Sequence, residues 1–284
     1  MSQQFFGQYL VENGVITSEQ LANALGMQEF SNCSFGEIAN RMGILSSEEI
    51  IRINRLQQTE DLLFGEAAIQ LGLLSVEQEK VILASQKENH LFIGEALTAT
   101  GCISAEQLVK HLNNFEQVQN GNKTSGLDIP HVVPFPELCR CIGELSHKIL
   151  SRVARIKFKP DVCEVATKID GNNMAIIIEF TGDVSFSYIM TFPRQIRSKI
   201  AIEILNTNEY IFEKRSLDSS VLEFARIICD TIISKAQQIG IRLVMLHSDL
   251  TDHDEDITVP NTNICLLLPA YLPTSEWIDI ALIL

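Results

Sequence analysis

Two charged side chains lie three residues apart in an amphipathic stretch between residues 217 and 228. They are Glu223 and Arg226, and the apolar residues around them recur with helical spacing. Because residues three apart share one helix face, the carboxylate and the guanidinium are expected to project side by side. A carboxylate accepts hydrogen bonds, whereas a guanidinium only donates them and can stabilise a phosphoryl group during its transfer. The alternative is a simple ion pair across one helical turn, worth about 0.2–0.5 kcal/mol.

The other metal-binding and catalytic residue types form no convincing constellation. The acidic stretch from Asp249 to Asp256 has no glycine where an EF-hand loop requires one, so it is interpreted as a solvated loop. Cys139 and Cys141 form a close pair, but no second pair or histidine doublet accompanies them. Phosphate-binding loops, dinucleotide fingerprints and nucleophile elbows do not occur. These patterns predict no metal ion and no resident cofactor.

The stretch from residue 5 to residue 115 contains four copies of one pattern. Corresponding residues are 29 positions apart in successive copies, without insertion. Each copy has a glycine, a second glycine seven residues later, and then a threonine or serine: Gly7, Gly14 and Thr17; Gly36, Gly43 and Ser46; Gly65, Gly72 and Ser75; Gly94, Gly101 and Ser104. A glutamine closes the first three copies, at Gln28, Gln57 and Gln86. The spacing indicates a repeat array.

Each copy is predicted to form a helical hairpin. In the first copy, Gly14 supplies the left-handed residue that ends a first helix. Thr17 then has the chemistry of an N-cap, and Gln20, three positions later, completes a capping box. Leu21 and Leu25 continue a second helix at helical spacing. An all-α array of four helical hairpins is therefore expected over residues 1–116.

A change of pattern after residue 116 predicts a second domain. Residues 117–135 are interpreted as a linker, because residues 120–126 are polar and three prolines follow by residue 136. In the domain at 136–284, β-rich runs at 173–180 and 184–192 are joined by a glycine-containing hairpin turn. Pro193 is expected to open a helix, Asp218 to cap a longer one, and the last residues to form another hairpin. This order predicts an α+β domain with a largely antiparallel sheet.

Composition and charge restrict the class of protein. The chain has 284 residues, and no apolar run approaches the ~20 residues of a membrane span. The net charge is −14, with 15 acidic and 7 basic residues up to residue 125, and such a surface repels nucleic acid. The locally basic stretch from Arg140 to Lys159 is interpreted as a solvated face or as a docking surface for an acidic partner. Seven scattered cysteines favour a reducing compartment. We expect a cytoplasmic protein that neither binds nucleic acid nor inserts into membranes.

The repeat resembles the N-terminal domain of type II secretion and type IV pilus assembly ATPases, the MshE-type domain. The glycine, hydroxyl and glutamine positions match over residues 5–115, but the arginine of that family's motif is replaced by Phe5, Ser34, Leu63 and Phe92. The resemblance implies that two tandem motifs make one cyclic di-GMP site, so four copies would amount to two such units. Loss of the arginine favours a helical scaffold or protein-docking module instead. The ligand-binding candidates that the resemblance implies are Phe6, Gly7, Leu10, Gly14, Phe35, Gly36, Gly43, Phe64, Gly65, Gly72, Gly94 and Gly101.

Residues 136–284 resemble the CheX branch of the CheC, CheX and FliY chemotaxis phosphatases. The order of the hairpin, the helix after Phe192 and the helix over 217–228 carries the resemblance. That family has a Glu-x-x-Asn signature, in which Glu223 matches and Arg226 replaces the asparagine. The resemblance implies that the Glu anchors a phosphorylated response regulator, that the Asn orients the attacking water, and that Mg²⁺ belongs to the response regulator. Guanidinium only donates hydrogen bonds, so Arg226 does not reproduce the role of the amide.

The two resemblances together imply a bacterial signal-transduction protein of the two-component, chemotaxis class. We expect a non-catalytic or weakly catalytic CheX-like module that binds a response regulator or other protein, joined to a helical sensory or docking module. The alternative is a phosphatase of the response-regulator aspartyl phosphate, regulated by cyclic di-GMP binding to the repeats. In that case Glu223 and Arg226 are the catalytic candidates. A homodimer of the second domain is a further candidate partnership.

Overall fold

Among the residues that the structure describes, helices dominate up to Gln119, and the first strand begins at Lys159. The computed structural model describes residues 5–60, 62–119, 127–205, 214–274 and 276–284. The polar part of the predicted linker, residues 120–126, lies outside the described residues. The chain divides into two compact units, an all-α unit up to Gln119 and an α+β unit from Leu127 onward. This organisation confirms the predicted fold class.

The described part of the all-α unit has eight helices that alternate between short and long. They are α1 (Phe6–Glu12), α2 (Ser18–Ser31), α3 (Phe35–Arg41), α4 (Ser47–Thr59), α5 (Phe64–Gln70), α6 (Val76–Glu88), α7 (Ile93–Ala99) and α8 (Ala105–Gln119). Each short helix and the long helix after it form one hairpin. One hairpin therefore corresponds to one copy of the repeat.

Local hydrogen bonds set the boundaries of the hairpins. The Thr17 hydroxyl accepts a hydrogen bond from the Gln20 N–H at 3.1 Å, while the Gln20 side chain accepts one from the Thr17 N–H at 2.8 Å. The same reciprocal box forms at Ser46, Ser75 and Ser104. The second glycine of every copy is left-handed, with φ of 67°, 70°, 68° and 72° at Gly14, Gly43, Gly72 and Gly101. The predicted hairpins and their caps are confirmed.

The four hairpins pack in a nested order. One buried apolar cluster joins copy 1 to copy 4 and includes Phe6, Leu10 and Leu97. A second cluster joins copy 2 to copy 3 and includes Ile53 and Ile82. Copies 2 and 3 are therefore a tandem pair of the kind that the sequence resemblance implied. The other pair consists of the first and last copies.

The repeated glutamine links the hairpins in this same order. Each side-chain amide donates to the backbone carbonyl that lies two residues before a short helix: Gln28 to Leu91 at 3.0 Å, Gln57 to Leu62 at 2.9 Å and Gln86 to Cys33 at 3.3 Å. Gln57 reaches the start of the next copy, whereas Gln28 and Gln86 reach across 63 and 53 residues. The repeated glutamine thus binds the same carbonyl position before a short helix in three copies. The contact is local in sequence for Gln57 and long-range for Gln28 and Gln86.

The first glycine of each copy is the second residue of a short helix. A methyl group at Gly7 would overlap Leu21, which is buried and has little freedom to move. A methyl group at Gly65 would overlap the carboxylate of Glu79, which is partly exposed and can turn into solvent. We expect Gly7→Ala to lower the free energy of unfolding by about 1–2 kcal/mol, and Gly65→Ala to leave it unchanged or raise it by a few tenths of a kcal/mol. Urea denaturation followed by far-UV circular dichroism measures both, and equal losses would contradict this difference in packing.

The described part of the α+β unit has three helices and nine strands. The helices are α9 (Pro136–Arg152), α10 (Arg194–Leu205) and α11 (Lys214–Gln238). The strands are β1 (Lys159–Pro160), β2 (Glu164–Ala166), β3 (Lys168–Ile169), β4 (Asn173–Gly182), β5 (Phe186–Phe192), β6 (Leu243–His253), β7 (Ile257–Thr258), β8 (Cys265–Tyr271) and β9 (Trp277–Ile283). None of the helices in the described ranges of either unit combines the length and the apolar composition needed to cross a membrane.

The main sheet is antiparallel throughout. Its strand order is β1-β8-β9-β5-β4-β6, β2 also pairs with β8, and β3 and β7 pair separately. The predicted hairpins are β4–β5 and β8–β9. In the β4–β5 turn, Gly182 has a φ of 136°, and a side chain there would overlap the carbonyl oxygen of Arg242. The glycine is therefore required by both the backbone conformation and the close approach of a second strand.

Helices cover one face of this sheet. Tyr188, Met190 and Phe192 of β5 alternate toward that face, where they pack with Phe224 and Ile228 of α11 in the largest buried cluster. A smaller cluster on the opposite face includes residues 189, 259 and 281. The alternation of apolar residues along β5 thus divides its side chains between two cores.

Two element boundaries differ from the sequence prediction. α11 begins at Lys214, so Asp218 lies inside the helix and is not its cap. The Asp218 carboxylate instead accepts a hydrogen bond from Arg197 Nη1 at 2.9 Å. β6 continues to His253, so Asp249 and Asp252 belong to a strand and not to a loop. Backbone pairing with β4 extends β6 through these polar residues, and such pairing does not depend on side-chain polarity.

Candidate functional site

α11 has one face in the core and one face in solvent. Phe224, Ala225 and Ile228 are fully buried. Glu223 and Arg226 lie on the opposite side and are both exposed. The predicted spacing therefore places the two charged groups on one solvent-facing surface of a helix that is anchored by its other side.

Arg226 is directed toward the C-terminal end of α11. Its Nε lies 3.9 Å from Asp230 Oδ2, and the two side chains are 70% and 72% exposed. Within the described part of the chain, no ion pair joins Arg226 to Glu223. The alternative of a simple ion pair between Glu223 and Arg226 is therefore not what the structure shows, because Asp230, four residues after Arg226, contacts the guanidinium. At this exposure the contact with Asp230 adds little stability and leaves Arg226 available to a partner.

The surface beside Glu223 is partly apolar. Leu222 is 39% exposed, although most leucines of this unit are buried. A carboxylate next to accessible apolar area is suited to contact with another protein, since apolar burial supplies affinity and the charge supplies orientation. The solvent face of α11 therefore offers a partner both apolar surface, at Leu222, and charge, at Glu223.

A partly buried ion pair positions the first turns of α11 against α10. Arg197 Nη1 lies 2.9 Å from Asp218 Oδ1, and the Arg197 side chain is only 12% exposed. Asp218 precedes Glu223 by little more than one helical turn. The pair restricts movement of this part of α11, so Glu223 is presented from a fixed backbone.

A buried hydrogen-bond chain connects β5 to α9. The Tyr188 hydroxyl donates to Ser146 Oγ at 3.1 Å, and the Ser146 hydroxyl donates to the Ile142 carbonyl oxygen at 2.8 Å. Burial raises the pKa of Tyr188 well above its ordinary value, so the phenol stays neutral. Sequence reasoning did not single out these residues, because a serine in a helix and a tyrosine in a strand carry no distinctive spacing.

β9 carries a buried carboxyl group on the face opposite to the helices. Asp279 accepts a hydrogen bond from Trp277 Nε1 at 3.1 Å and lies next to the buried Thr191 in the sheet. Burial raises the pKa of Asp279 to about 6, with smaller contributions from the charges of Asp170 and Glu164. The sequence signal for this group is a single aspartate among the apolar residues of a strand. Its titration falls in a range that affects stability near neutral pH.

α9 carries a second group with a shifted pKa. Burial lowers the pKa of His147 to about 4, so the imidazole is neutral at pH 7. Its Nε2 is buried without a hydrogen-bond partner, and its ring centre lies 5.1 Å from that of Phe158. His147 therefore packs as an aromatic ring, and protonation of the folded state is unfavourable.

The ligand candidates of the repeat lie in hairpin interiors and at helix ends. Phe6 and Leu10 belong to the cluster of copies 1 and 4, and the rings of Phe35 and Phe64 are 5.5 Å apart. The first glycines (Gly7, Gly36, Gly65 and Gly94) are buried, and the second glycines (Gly14, Gly43, Gly72 and Gly101) end the short helices. Each candidate thus has a packing or capping role. Binding of cyclic di-GMP by these residues stays a prediction.

The acidic stretch after residue 248 is paired with nearby donors. Asp256 accepts hydrogen bonds from the Gly171 N–H and from Lys168 Nζ, each at 3.0 Å, and these contacts lower the pKa of Asp256. Asp252 Oδ1 lies 3.3 Å from Arg194 Nη2. Among the described residues, no group of three or more His, Cys, Asp or Glu side chains is placed to hold a metal ion. The carboxylates here connect segments of the fold.

The basic stretch that begins at Arg140 is partly neutralised. Arg140 Nη1 lies 2.6 Å from Glu137 Oε1, and Arg155 Nε lies 3.1 Å from Glu203 Oε2. Cations that are already paired attract an acidic partner less strongly. The pairing favours a solvated face over a docking surface.

No protein-family model matches the sequence, and no curated protein matches it. The α+β unit is similar to solved chemotaxis proteins. A CheX protein from Desulfovibrio desulfuricans is 15% identical, with a TM-score of 0.45 over 52% of this chain and 99% of that protein. A CheC-like superfamily protein from Shewanella sp. PV-4 is 13% identical, with a TM-score of 0.44 over 51% and 97% of the two chains. CheX from Borrelia burgdorferi, solved in complex with CheY, BeF3 and Mg²⁺, is 13% identical, with a TM-score of 0.41 over 51% and 96%.

Proposed function

We propose that the α+β unit is a docking module for a response-regulator protein in bacterial signal transduction, with weak or absent phosphatase activity of its own. The proposed contact surface is the solvent face of α11, with Glu223 and Arg226. The all-α unit is proposed to be a helical sensory or docking module in the same chain. In this proposal Mg²⁺ enters only with the response regulator, and the chain itself needs no cofactor.

The exposure of the charged residues on α11 is the observation that carries this proposal. An enzyme site for a small molecule is concave and largely shielded from water. Glu223 and Arg226 instead lie on an accessible helix surface. The group that reacts or is recognised must therefore belong to a partner that is large enough to cover this helix surface. A protein has the necessary size.

Arg226 supports binding of a phosphorylated partner more than hydrolysis of its phosphate. A guanidinium donates charge-assisted hydrogen bonds to phosphoryl oxygens. Hydrolysis of an aspartyl phosphate also requires a group that orients a water molecule in line, and an amide does this because it both donates and accepts. Guanidinium has no acceptor. Arg226 is therefore suited to recognition and unsuited to positioning the water nucleophile.

Two exposed phenylalanines support a docking role for the all-α unit. Phe30 is 91% exposed and Phe92 is 61% exposed. They flank the contact between Asn32 and Leu91, whose hydrogen bond of 3.0 Å joins the end of α2 to the segment before α7. Aromatic side chains are enriched at protein interfaces, where they bury large areas. A protein segment that covers both rings would bind this part of the unit.

The proposal predicts the behaviour of the wild-type chain and of Arg226→Asn with a phosphorylated receiver domain from the same organism. Wild type is expected to bind the receiver with little or no acceleration of phosphate release. Arg226→Asn is expected to raise the rate of release at least about 10-fold, because the amide can orient water. Phosphate release in the presence of Mg²⁺ is the measurement. Arg226→Lys, which keeps a cation that only donates, is the matched control and should remain inactive.

The same assay distinguishes the docking proposal from its enzymatic alternative. Acceleration of phosphate release by the wild-type chain as large as that expected of Arg226→Asn would replace the docking module with a phosphatase. A titration of that activity with cyclic di-GMP would then test regulation through the repeats. A receiver that fails to bind the wild-type chain, whether phosphorylated or not, would contradict the docking proposal.

A further inference from the structure

A cavity of about 400 Å³ lies within the all-α unit. It is formed where the ends of α2 and α6 meet α3. Its volume falls within the range of roughly 300–1,000 Å³ that is typical of small-molecule sites. We propose that this cavity binds a small organic phosphate of about mononucleotide size through Arg41. This inference is independent of the response-regulator proposal.

Amide hydrogen bonds between distant hairpins build the walls of the cavity. Asn32 exchanges two hydrogen bonds with Leu91, in which its Nδ2 donates to the carbonyl oxygen at 3.0 Å and its Oδ1 accepts from the N–H at 2.7 Å. On the other side, Gln86 Nε2 donates to the Cys33 carbonyl oxygen at 3.3 Å. These side chains are held in place by the nested packing of the hairpins. The cavity is therefore preformed, which reduces the entropy lost on binding.

Arg41 supplies the positive charge of the wall. In the described part of the chain, its exposed guanidinium makes no hydrogen bond or ion pair, and no carboxylate is among the residues that line the cavity. This contrasts with the stretch up to residue 125, which has 15 acidic and 7 basic residues. The corresponding residues of the other copies are Glu12, Gln70 and Ala99. A cation at this position thus occurs only in copy 2, whose short helix α3 forms one wall of the cavity, and an unpaired guanidinium there fits an anion.

The other lining residues fit an organic body attached to that anion. Asn89 uses its Nδ2 to donate to the Ser85 carbonyl oxygen at 2.8 Å, which leaves its Oδ1 as an acceptor. Ser31 and Ser85 add hydroxyl groups, and Ile38 adds apolar surface. The volume exceeds that of a phosphate ion alone, so the ligand has a polar ring or chain as well. A phosphate dianion is preferred to a carboxylate, because Coulomb attraction to the guanidinium doubles with the charge.

Isothermal titration calorimetry of the full chain at low salt tests the site with four probes: adenosine 5′-monophosphate, guanosine 5′-monophosphate, adenosine and inorganic phosphate. At least one mononucleotide is expected to bind with a Kd below about 1 mM. Adenosine is expected to bind at least about 10-fold more weakly than its monophosphate, because it lacks the group that Arg41 binds. Inorganic phosphate lacks the organic body and should also bind more weakly. Absence of binding by both mononucleotides, or equal binding of adenosine, would overturn the inference.

Variants of exposed arginines test whether Arg41 is the anchor. Arg41→Gln is expected to weaken mononucleotide binding at least about 10-fold, with an unchanged far-UV circular dichroism spectrum. Arg41→Lys keeps the charge without the forked geometry and should fall between wild type and Arg41→Gln. Arg52→Gln removes an exposed arginine of α4 that does not line the cavity, and it should leave the Kd unchanged. Equal affinities of wild type and Arg41→Gln would overturn the assignment.

Discussion

Phe224→Ala is expected to lower the free energy of unfolding of the α+β unit by about 3–5 kcal/mol. The Phe224 ring is fully buried in the main core, and its removal leaves a cavity that a closely packed sheet and helix cannot fill. Glu223→Ala, one residue earlier, is expected to change this free energy by less than about 0.5 kcal/mol, because the side chain is exposed. The two variants separate the anchoring face of α11 from its solvent face.

Urea denaturation followed by the fluorescence of Trp277 measures both free energies. This is the one tryptophan of the chain, and it lies in β9. Glu223→Ala is further expected to weaken binding of the phosphorylated receiver at least about 10-fold, whereas Glu255→Ala, which removes an exposed carboxylate after β6, should leave it unchanged. Wild-type affinity of Glu223→Ala would contradict the proposed contact surface. Wild-type stability of Phe224→Ala would contradict the observed core.

Asp279→Asn is expected to raise the free energy of unfolding at pH 7 by up to about 3 kcal/mol. In the folded state, burial raises the pKa of Asp279 from 3.8 to about 6. A carboxyl group that holds its proton more tightly when folded stabilises the fold at low pH. That contribution is present below the unfolded pKa and is lost as the pH rises through the folded pKa. Asparagine stays uncharged and keeps an oxygen that can accept the hydrogen bond from Trp277.

His147 has the opposite effect over nearly the same pH range. Burial lowers its pKa from 6.5 to about 4, so the unfolded chain binds the proton more tightly than the folded one. Stability from this group therefore falls as the pH decreases from 6.5 toward the folded pKa. In the wild-type chain the contributions of His147 and Asp279 oppose each other. On acidification, we expect the free energy of unfolding of Asp279→Asn to fall more steeply than that of wild type. We expect the free energy of unfolding of His147→Leu to fall less than that of wild type, or to rise.

Urea denaturation at intervals between about pH 4 and pH 7.5 measures these slopes. Far-UV circular dichroism is needed beside tryptophan fluorescence, because Trp277 is the hydrogen-bond donor to Asp279. Parallel pH profiles of wild type and Asp279→Asn would show that this carboxyl group is not the source of the dependence. If the pH profile of His147→Leu is parallel to that of wild type, then His147 is not a source of the pH dependence.

The helical hairpins were predictable because the groups that define them are close in sequence. Thr17 and Gln20 bind each other within one turn, and Gly14 ends its helix through its own backbone conformation. Local groups of this kind act the same way in all four copies. The side-by-side exposure of Glu223 and Arg226 was predictable for a similar reason, since helical spacing alone places them on one face.

The sequence did not predict which hairpins pack against each other or which side chains form ion pairs. Every hairpin has a similar apolar face, so the sequence pattern does not rank the pairing of copy 1 with copy 4 against its pairing with copy 2. The pairing of copy 1 with copy 4 is seen in the hydrogen bond from Gln28 to Leu91, an acceptor that is 63 residues away. Arg226 takes Asp230 and not Glu223, because the side-chain conformation decides which of two nearby carboxylates is reached. The predicted boundary at Asp218 was wrong because α11 begins at Lys214, and the Asp218 carboxylate instead accepts a hydrogen bond from Arg197 of another helix.

The charged residues on α11 and the four-copy repeat were thus determined by the sequence itself, because both follow from the periodicity of a helix and from hydrogen bonds that span a few residues. Tertiary structure alone decided the nested order of the hairpins, the cavity beside Arg41 and the burial of Asp279. Each of these depends on which distant segments come into contact. Burial and the charges around a residue are set by the packing of the whole chain. The pKa and the partner of a residue therefore depend on its position in the fold and not on its residue type alone.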